Sequence, residues 1–246
     1  MNSDAVKRHL DRLAGEGKSI RFWLRDDDAV QPTPALQRLL ALTAHYPVPL
    51  VLAVIPEETG VELADLLSVL DHVRVAVHGW SHCSYSIPPA KKQELGLDRP
   101  ITEVLAELQA GFAKLQSLYG LQFEPMLVPP WNRIAPEIVD ALPALGFESL
   151  SVFGREKQAV LSVLNTHVDL MDWRGTGGGK PADQLFAEVL ACMIAEKPVP
   201  SIGVLAHHLV HDDNAWAFLE QLFALTAAHP ACRWVAPGEM LRARAN

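Results

Sequence analysis

The chain has little cysteine. Three residues in 246, Cys83, Cys192 and Cys232, are odd in number, far apart and without CxxC spacing. That argues against a disulfide framework, and a reducing, cytoplasmic setting is expected. Cys83 adjoins His82 and is open to two readings, a thiolate ligand or a small half-buried residue. Long apolar runs are also missing. Nothing approaches the roughly 18 apolar residues of a membrane span. The opening MNSDAVKRHLDRLAG is polar and amphipathic, without the apolar core of a secretory signal. Positive charge is scarce: 21 Lys and Arg stand against 29 Asp and Glu, net −8, and the longest basic cluster is Lys91-Lys92. A nucleic acid or an anionic membrane would want a basic face, so neither is expected as a partner. No Ser/Gly-rich or Pro-rich linker divides the sequence, so a single domain over residues 1–246 is expected, with 1–19 as an N-terminal helical extension. Self-association into a homo-oligomer stays open.

What is present is an alternation of two periods. Residues 4–15 carry Val6, Leu10 and Leu13 at helical spacing. A strand, Ile20 through Leu24, then runs into Arg25-Asp26-Asp27-Asp28. Pro32 and Pro34 open a helix near Thr33, with Leu36, Leu39, Leu40 and Leu42 as its apolar side. Residues 49–55 are almost continuously apolar, as a strand buried on both faces of a parallel sheet reads. A helix over 61–70 precedes a third strand over 73–77. Residues 83–100 have no period and read as a binding loop or lid. Thr102 is placed to cap a helix reaching about Tyr119, with Leu105, Leu108, Phe112 and Leu115 inward. A strand over 126–128, a helix over 135–145 stopped by Gly146, strands over 149–153 and 167–171, a helix over 182–195, a strand over 202–205 and a helix over 213–228 complete the pattern, with a short final element. Strand followed by helix about seven times implies parallel strands, as a doubly wound sheet or a closed barrel.

Polar residues collect where these strands end. Asp26 to Asp28, His78, Trp131, Asp172 and His207 each follow a strand, the edge on which parallel α/β folds build active sites. The most specific signal is HGWSH, His78 to His82. Imidazoles four apart can share one side of a turn, and a catalytic metal commonly takes three protein ligands with an open position. By itself HxxxH more often marks a pair of hydrogen-bonded histidines, so the carboxylates of Asp26 to Asp28 carry the argument. Three adjacent acids at a buried strand end repel one another unless a cation is present. Gly175-Thr176-Gly177-Gly178-Gly179-Lys180 is one residue short of a phosphate-binding loop, and Pro181 stands where Ser or Thr would bind magnesium. A flexible rim loop is expected there instead.

From about residue 20 to 210 the chain resembles the polysaccharide deacetylase family, also called NodB-homology or carbohydrate esterase 4, with five short motifs in order. The resemblance implies an α/β fold, a distorted (β/α) barrel of about seven parallel strands. It implies a metal-dependent deacetylase removing an acyl group, N-acetyl above all, from a carbohydrate or related small amide. It implies Asp27 as general base and Asp28, His78 and His82 as ligands of a divalent metal, with zinc suiting two nitrogens and an oxygen. The extra aspartate leaves the register open by one, because Asp26 and Asp28 point the same way in an extended strand. The third motif is Val128-Pro129-Pro130-Trp131, so Pro130 and Trp131 bind substrate and Trp131 N–H supports the oxyanion. The arginine usual at position 128 is valine, and Arg25, Arg133 or Arg174 is its replacement. The fourth motif, Asp169 to Trp173, implies Asp172 supporting catalysis and Trp173 in the acyl pocket. The fifth implies Leu205 in that pocket and His207 as general acid, with His208 and His211 as rivals. A metal- or sugar-binding domain of this fold without hydrolysis is the alternative.

Overall fold

The computed structural model describes residues 2–195, 199 and 201–245. The chain resolves into two compact units. The first comprises Met1–Asp26, Thr33–Leu50 and Thr166–Asn246; the second comprises Asp27–Pro32 and Val51–Asn165. Strand β1, Ile20–Ala29, runs through both.

In the first unit, β1 pairs in parallel with β8 (Ile202–Ala206), from Phe22 opposite Ile202 to Asp26 opposite Ala206. Its other neighbour there is β9 (Cys232–Trp234), and β7 (Val168–Asp169) lies beyond β8. Helices α1 (Asn2–Gly15), α2 (Pro34–His45), α6 (Ala182–Ile194), α7 (Asp213–Thr226) and α8 (Pro237–Ala245) belong to this unit. α1 is built into it: Val6 and Leu10 are fully buried, and the helix packs against α6. Proline opens α2 as expected, and Thr33 Oγ1 accepts from Leu36 N–H at 3.0 Å.

In the second unit the order runs from the end of β1 through β2 (Leu50–Val54), β3 (Val73–Val77), β4 (Phe123–Leu127), β5 (Ser149–Leu150) and β6 (Ser162–Val163). Helices α3 (Val61–Leu67), α4 (Ile101–Tyr119) and α5 (Pro136–Ala141) connect them. Hydrogen bonding continues one residue past each strand. Ile55 N–H donates to Ala29 O, His78 N–H to Val54 O and Val128 N–H to Val77 O, at 3.0, 2.9 and 2.8 Å. These bonds align the carboxyl ends of four consecutive strands, which sets His78 and the segment from Val128 side by side.

The α/β class and parallel pairing are as expected; nine strands are formed among the described residues, and several bounds differ. β1 contains the acidic cluster instead of stopping before it. The strand expected over 149–153 ends at Leu150, because Val152 N–H is taken by the Asn165 side chain at 3.0 Å. β7 ends at Asp169, whose own carboxylate accepts from Met171 N–H at 2.9 Å and turns the chain. α4 begins one residue before Thr102, with Pro100 at its cap, and it buries Val104 where Leu105 was expected. The glycine-rich stretch is a bonded turn, not a loose rim. Asp172 N–H donates to Gly178 O, Gly179 N–H to Asp212, and Lys180 pairs with Glu188 at 3.0 Å. Among the described residues no helix is long and apolar enough to cross a membrane.

Candidate metal centre

Asp28, His78 and His82 meet in the second unit. One oxygen of Asp28 lies 3.1 Å from Nε2 of His78 and 3.3 Å from Nε2 of His82. Ligand atoms of all three lie within 4.8 Å of one another, and among the described residues no other group of His, Cys, Asp or Glu converges so. Nδ1 of His78 is 2.8 Å from the backbone carbonyl of Val128. A carbonyl can only accept, so Nδ1 carries the hydrogen and Nε2 presents its lone pair to Asp28. Two imidazole nitrogens therefore face one carboxylate oxygen, an arrangement that needs protons or a cation between them. Burial alone would keep His78 uncharged, yet the Asp28 hydrogen bond and the charges of Asp27 and Asp28 raise its pKa. Burial, and then the neighbouring His78, lower that of His82. The donor set, two nitrogens and one oxygen with Asp28 and His82 half-exposed, fits a divalent metal such as zinc with room for further ligands.

The backbone is strained in the same place. Of five non-glycine residues with positive φ among those described, four are Asp28 (72°), His82 (57°), Trp131 (54°) and Asn132 (56°). Side-chain-bearing residues hold this conformation only where the surroundings impose it, and such residues gather at functional sites. At Asp28 the positive φ also bears on the register. The left-handed turn ends the strand alternation, so Asp28 need not follow Asp26. Asp26 is fully buried and engaged elsewhere: its carboxylate accepts from His208 Nδ1 and, at 2.8 Å, from His208 N–H. Asp27, between them, is buried.

Trp131 sits in a 3-10 turn, Pro130–Asn132, with its ring centroid 4.4 Å from that of His82. The turn's hydrogen bonds are donated by Asn132 and Arg133, which leaves Trp131 N–H outside them. Pro130 is buried beneath. A cavity of about 620 Å³ begins at Asn132 and Gln93 and is walled by Arg133, Phe153, Arg155 and Lys157.

Glu94, which the sequence did not mark, is fully buried and accepts hydrogen bonds from the HGWSH turn. It lies in the segment without periodicity. The one available signal was an acid placed directly before an apolar residue, Leu95, in a loop expected to bind something.

The other residues singled out in the sequence lie in the first unit, Arg133 excepted. His207 is half-buried, with its ring 4.8 Å from the indole of Trp173. Trp173 Nε1–H donates to Asp169 at 2.9 Å. Burial raises the pKa of Asp169, while the Met171 N–H bond and the charge of His207 act the other way. Asp172 instead accepts from Thr176 N–H at 3.1 Å, within its own turn. Leu205 is fully buried in β8. His208 is buried on Asp26, and His211 Nε2 accepts from His207 N–H at 3.1 Å. Of the three arginines, Arg174 is exposed and Arg133 donates to Lys92 O at 2.7 Å. Arg25 is fully buried on β1, two residues before Asp27.

No family model matches the sequence, and no curated protein matches it. Solved structures do match. A Mycobacterium smegmatis protein described as a polysaccharide deacetylase superposes with a TM-score of 0.70 at 16% identity, over 93% of this chain and 92% of that one. A peptidoglycan N-acetylglucosamine deacetylase gives 0.63 at 14% identity, over 91% and 89%. A family 4 acetyl xylan esterase from Clostridium thermocellum, solved with a cobalt ion, gives 0.59 at 15%, over 92% of both chains. The chain thus has the fold of the polysaccharide deacetylases and family 4 carbohydrate esterases, the distorted (β/α) barrel that its motifs implied.

Proposed function

We propose that this protein is a metal-dependent hydrolase that removes an acyl group, N-acetyl by preference, from a carbohydrate or related small amide. The observation that carries the reading is the convergence of His78 and His82 on one oxygen of Asp28. Shared fold with carbohydrate deacetylases and esterases supports it. Asp28, His78 and His82 would hold the metal, for which zinc is the best match. When bound, such an ion supplies Lewis-acid polarisation of an acyl carbonyl and lowers the pKa of a water.

The chain's own residues account for the rest. Asp27, next to the ligand Asp28 on β1, accepts the proton of the attacking water. Trp131 N–H, uncommitted within its turn, donates to the oxyanion as the carbonyl carbon becomes tetrahedral. The C–N bond breaks as His207 gives its proton to the leaving nitrogen, releasing amine and carboxylic acid. Asp169 takes over the supporting role expected of Asp172, because its carboxylate is the one that interacts with His207 and holds Trp173. Pro130 and Trp131 are assigned to the substrate's acyl end, Trp173 and Leu205 keep the acyl-pocket role that the resemblance implies, and the cavity from Asn132 to Phe153 takes the body of the substrate. Arg25 is assigned to orient Asp27: it is buried, and residues two apart share a face of an extended strand.

The test is hydrolysis of N-acetylated sugars before and after chelation, with metal restored afterwards. Turnover lost on chelation and regained with zinc is expected; no turnover, or turnover indifferent to chelation, contradicts the proposal. One observation favours a binding domain without hydrolysis, namely the buried Val128 where an arginine is usual. Loss of turnover in Asp27→Asn with metal retained would eliminate that second reading.

A further inference from the structure

We propose that Glu94 is a positioning residue that forms the HGWSH turn before any metal arrives and so presents His82 to it; this rests on the reading of Asp28, His78 and His82 as metal ligands. Glu94 is fully buried, and each of its carboxylate oxygens is used. Oε1 accepts from Trp80 N–H at 3.1 Å, Ser81 N–H at 2.8 Å and the Ser81 hydroxyl at 3.2 Å. Oε2 accepts from His82 N–H at 3.2 Å. Three successive amides of the ligand turn thus end on one side chain 12 to 14 residues further along the sequence. A carboxylate has lone pairs for four such donors, and no other side chain of that length has acceptors alone.

Two features show that the turn needs this anchor. His82 holds φ 57°, a conformation disfavoured for a residue with a β-carbon. At Gly79, with φ 60°, an added β-carbon would collide with Glu94 Oε2 and lie 2.7 Å from Pro130, so the carboxylate reaches the turn only across a glycine. The segment carrying Glu94 is itself fixed to the strand-end segment that bears Trp131. Arg133 donates to Lys92 O at 2.7 Å and Ala135 N–H to Leu95 O at 2.8 Å. Glu94 therefore ties the ligand turn to the segment carrying the oxyanion donor.

The experiment is a zinc titration of metal-free protein against a competing chromogenic chelator, for the unaltered chain, E94Q, E94A and E107Q. Glu107 pairs with Arg99 on the same segment and touches no ligand, so E107Q reports general loosening. In E94Q an amide NH2 replaces the acceptor facing His82 N–H while the acceptor for Trp80 and Ser81 stays. Zinc affinity is expected to fall about 10-fold in E94Q and toward 100-fold in E94A, with E107Q unchanged. Equal affinity in E94A and the unaltered chain, or an equal loss in E107Q, overturns the proposal. Hydrogen exchange on the unaltered metal-free protein gives a second readout that needs no variant. Protected amides at Trp80, Ser81 and His82 are expected, and fast exchange there contradicts a preformed turn. An unaltered chain that binds no zinc yet protects these amides would overturn the metal reading and not the clamp.

Discussion

His78 Nδ1–H donates to the backbone carbonyl of Val128 at 2.8 Å. This bond fixes the tautomer and aims Nε2 at Asp28, so position 128 serves the candidate metal centre through its backbone while its side chain lies in the core. Partners of this kind outside the ligand shell commonly set a histidine's orientation.

Val128→Ala should therefore leave zinc affinity within about threefold of the native value while lowering stability by roughly 2 kcal/mol, from lost apolar burial. His78→Ala should abolish tight binding. Chelator competition and urea unfolding on the same two variants check both halves of the statement.

The Asp26–His208 pair belongs to folding. Both residues are buried, and removing one partner strands the other. Asp26→Asn should cost about 3–5 kcal/mol in chemical unfolding with zinc stoichiometry retained. Asp27→Asn, one residue on, should keep zinc and lose turnover. Turnover lost with zinc kept in Asp26→Asn, together with zinc lost in Asp27→Asn, would show that the register is off by one.

His207→Ala should reduce kcat by about 10²–10⁴-fold, the usual contribution of a general acid, with metal content unchanged. A comparable loss in His208→Ala at full stability would move the acid role to His208.

His211 sets a pH dependence. Burial lowers its pKa from 6.5 to about 4 against the pull of Asp26, with His207 and His208 adding to the lowering. Its Nε2 must stay unprotonated to accept from His207 N–H. Between pH 4 and 6.5 the unfolded chain takes up a proton that the folded chain refuses. The contribution is therefore complete above pH 6.5 and lost as pH falls toward 4. Unfolding free energies at pH 7 and pH 5 should differ more for the native protein than for His211→Gln, whose side chain cannot protonate.

Much of this was legible in the sequence because it is written in contiguous residues. β2 and β8 read directly from unbroken apolar runs, and His78 and His82 from their position after β3. What could not be read depends on distant partners. Asp26 is set apart from Asp28 by His208 and by a left-handed φ at Asp28, neither visible in a run of three aspartates. Glu94 had no periodic context. Asp169 and Asp172 are equivalent in sequence, and only the path of the turn after β7 sets one against His207. The short β5 and β7 end where side chains capture backbone amides, Asn165 for Val152 and Asp169 for Met171, a competition that periodicity does not register.

On the proposed reading, Asp28, His78 and His82 hold one divalent ion. Isothermal titration of chelator-treated protein with zinc tests it most directly, run beside Asp28→Ala. One ion per chain, bound tightly by the native protein and at least 100-fold more weakly by the variant, is the predicted result. No saturable binding, or equal binding by the two proteins, would contradict it.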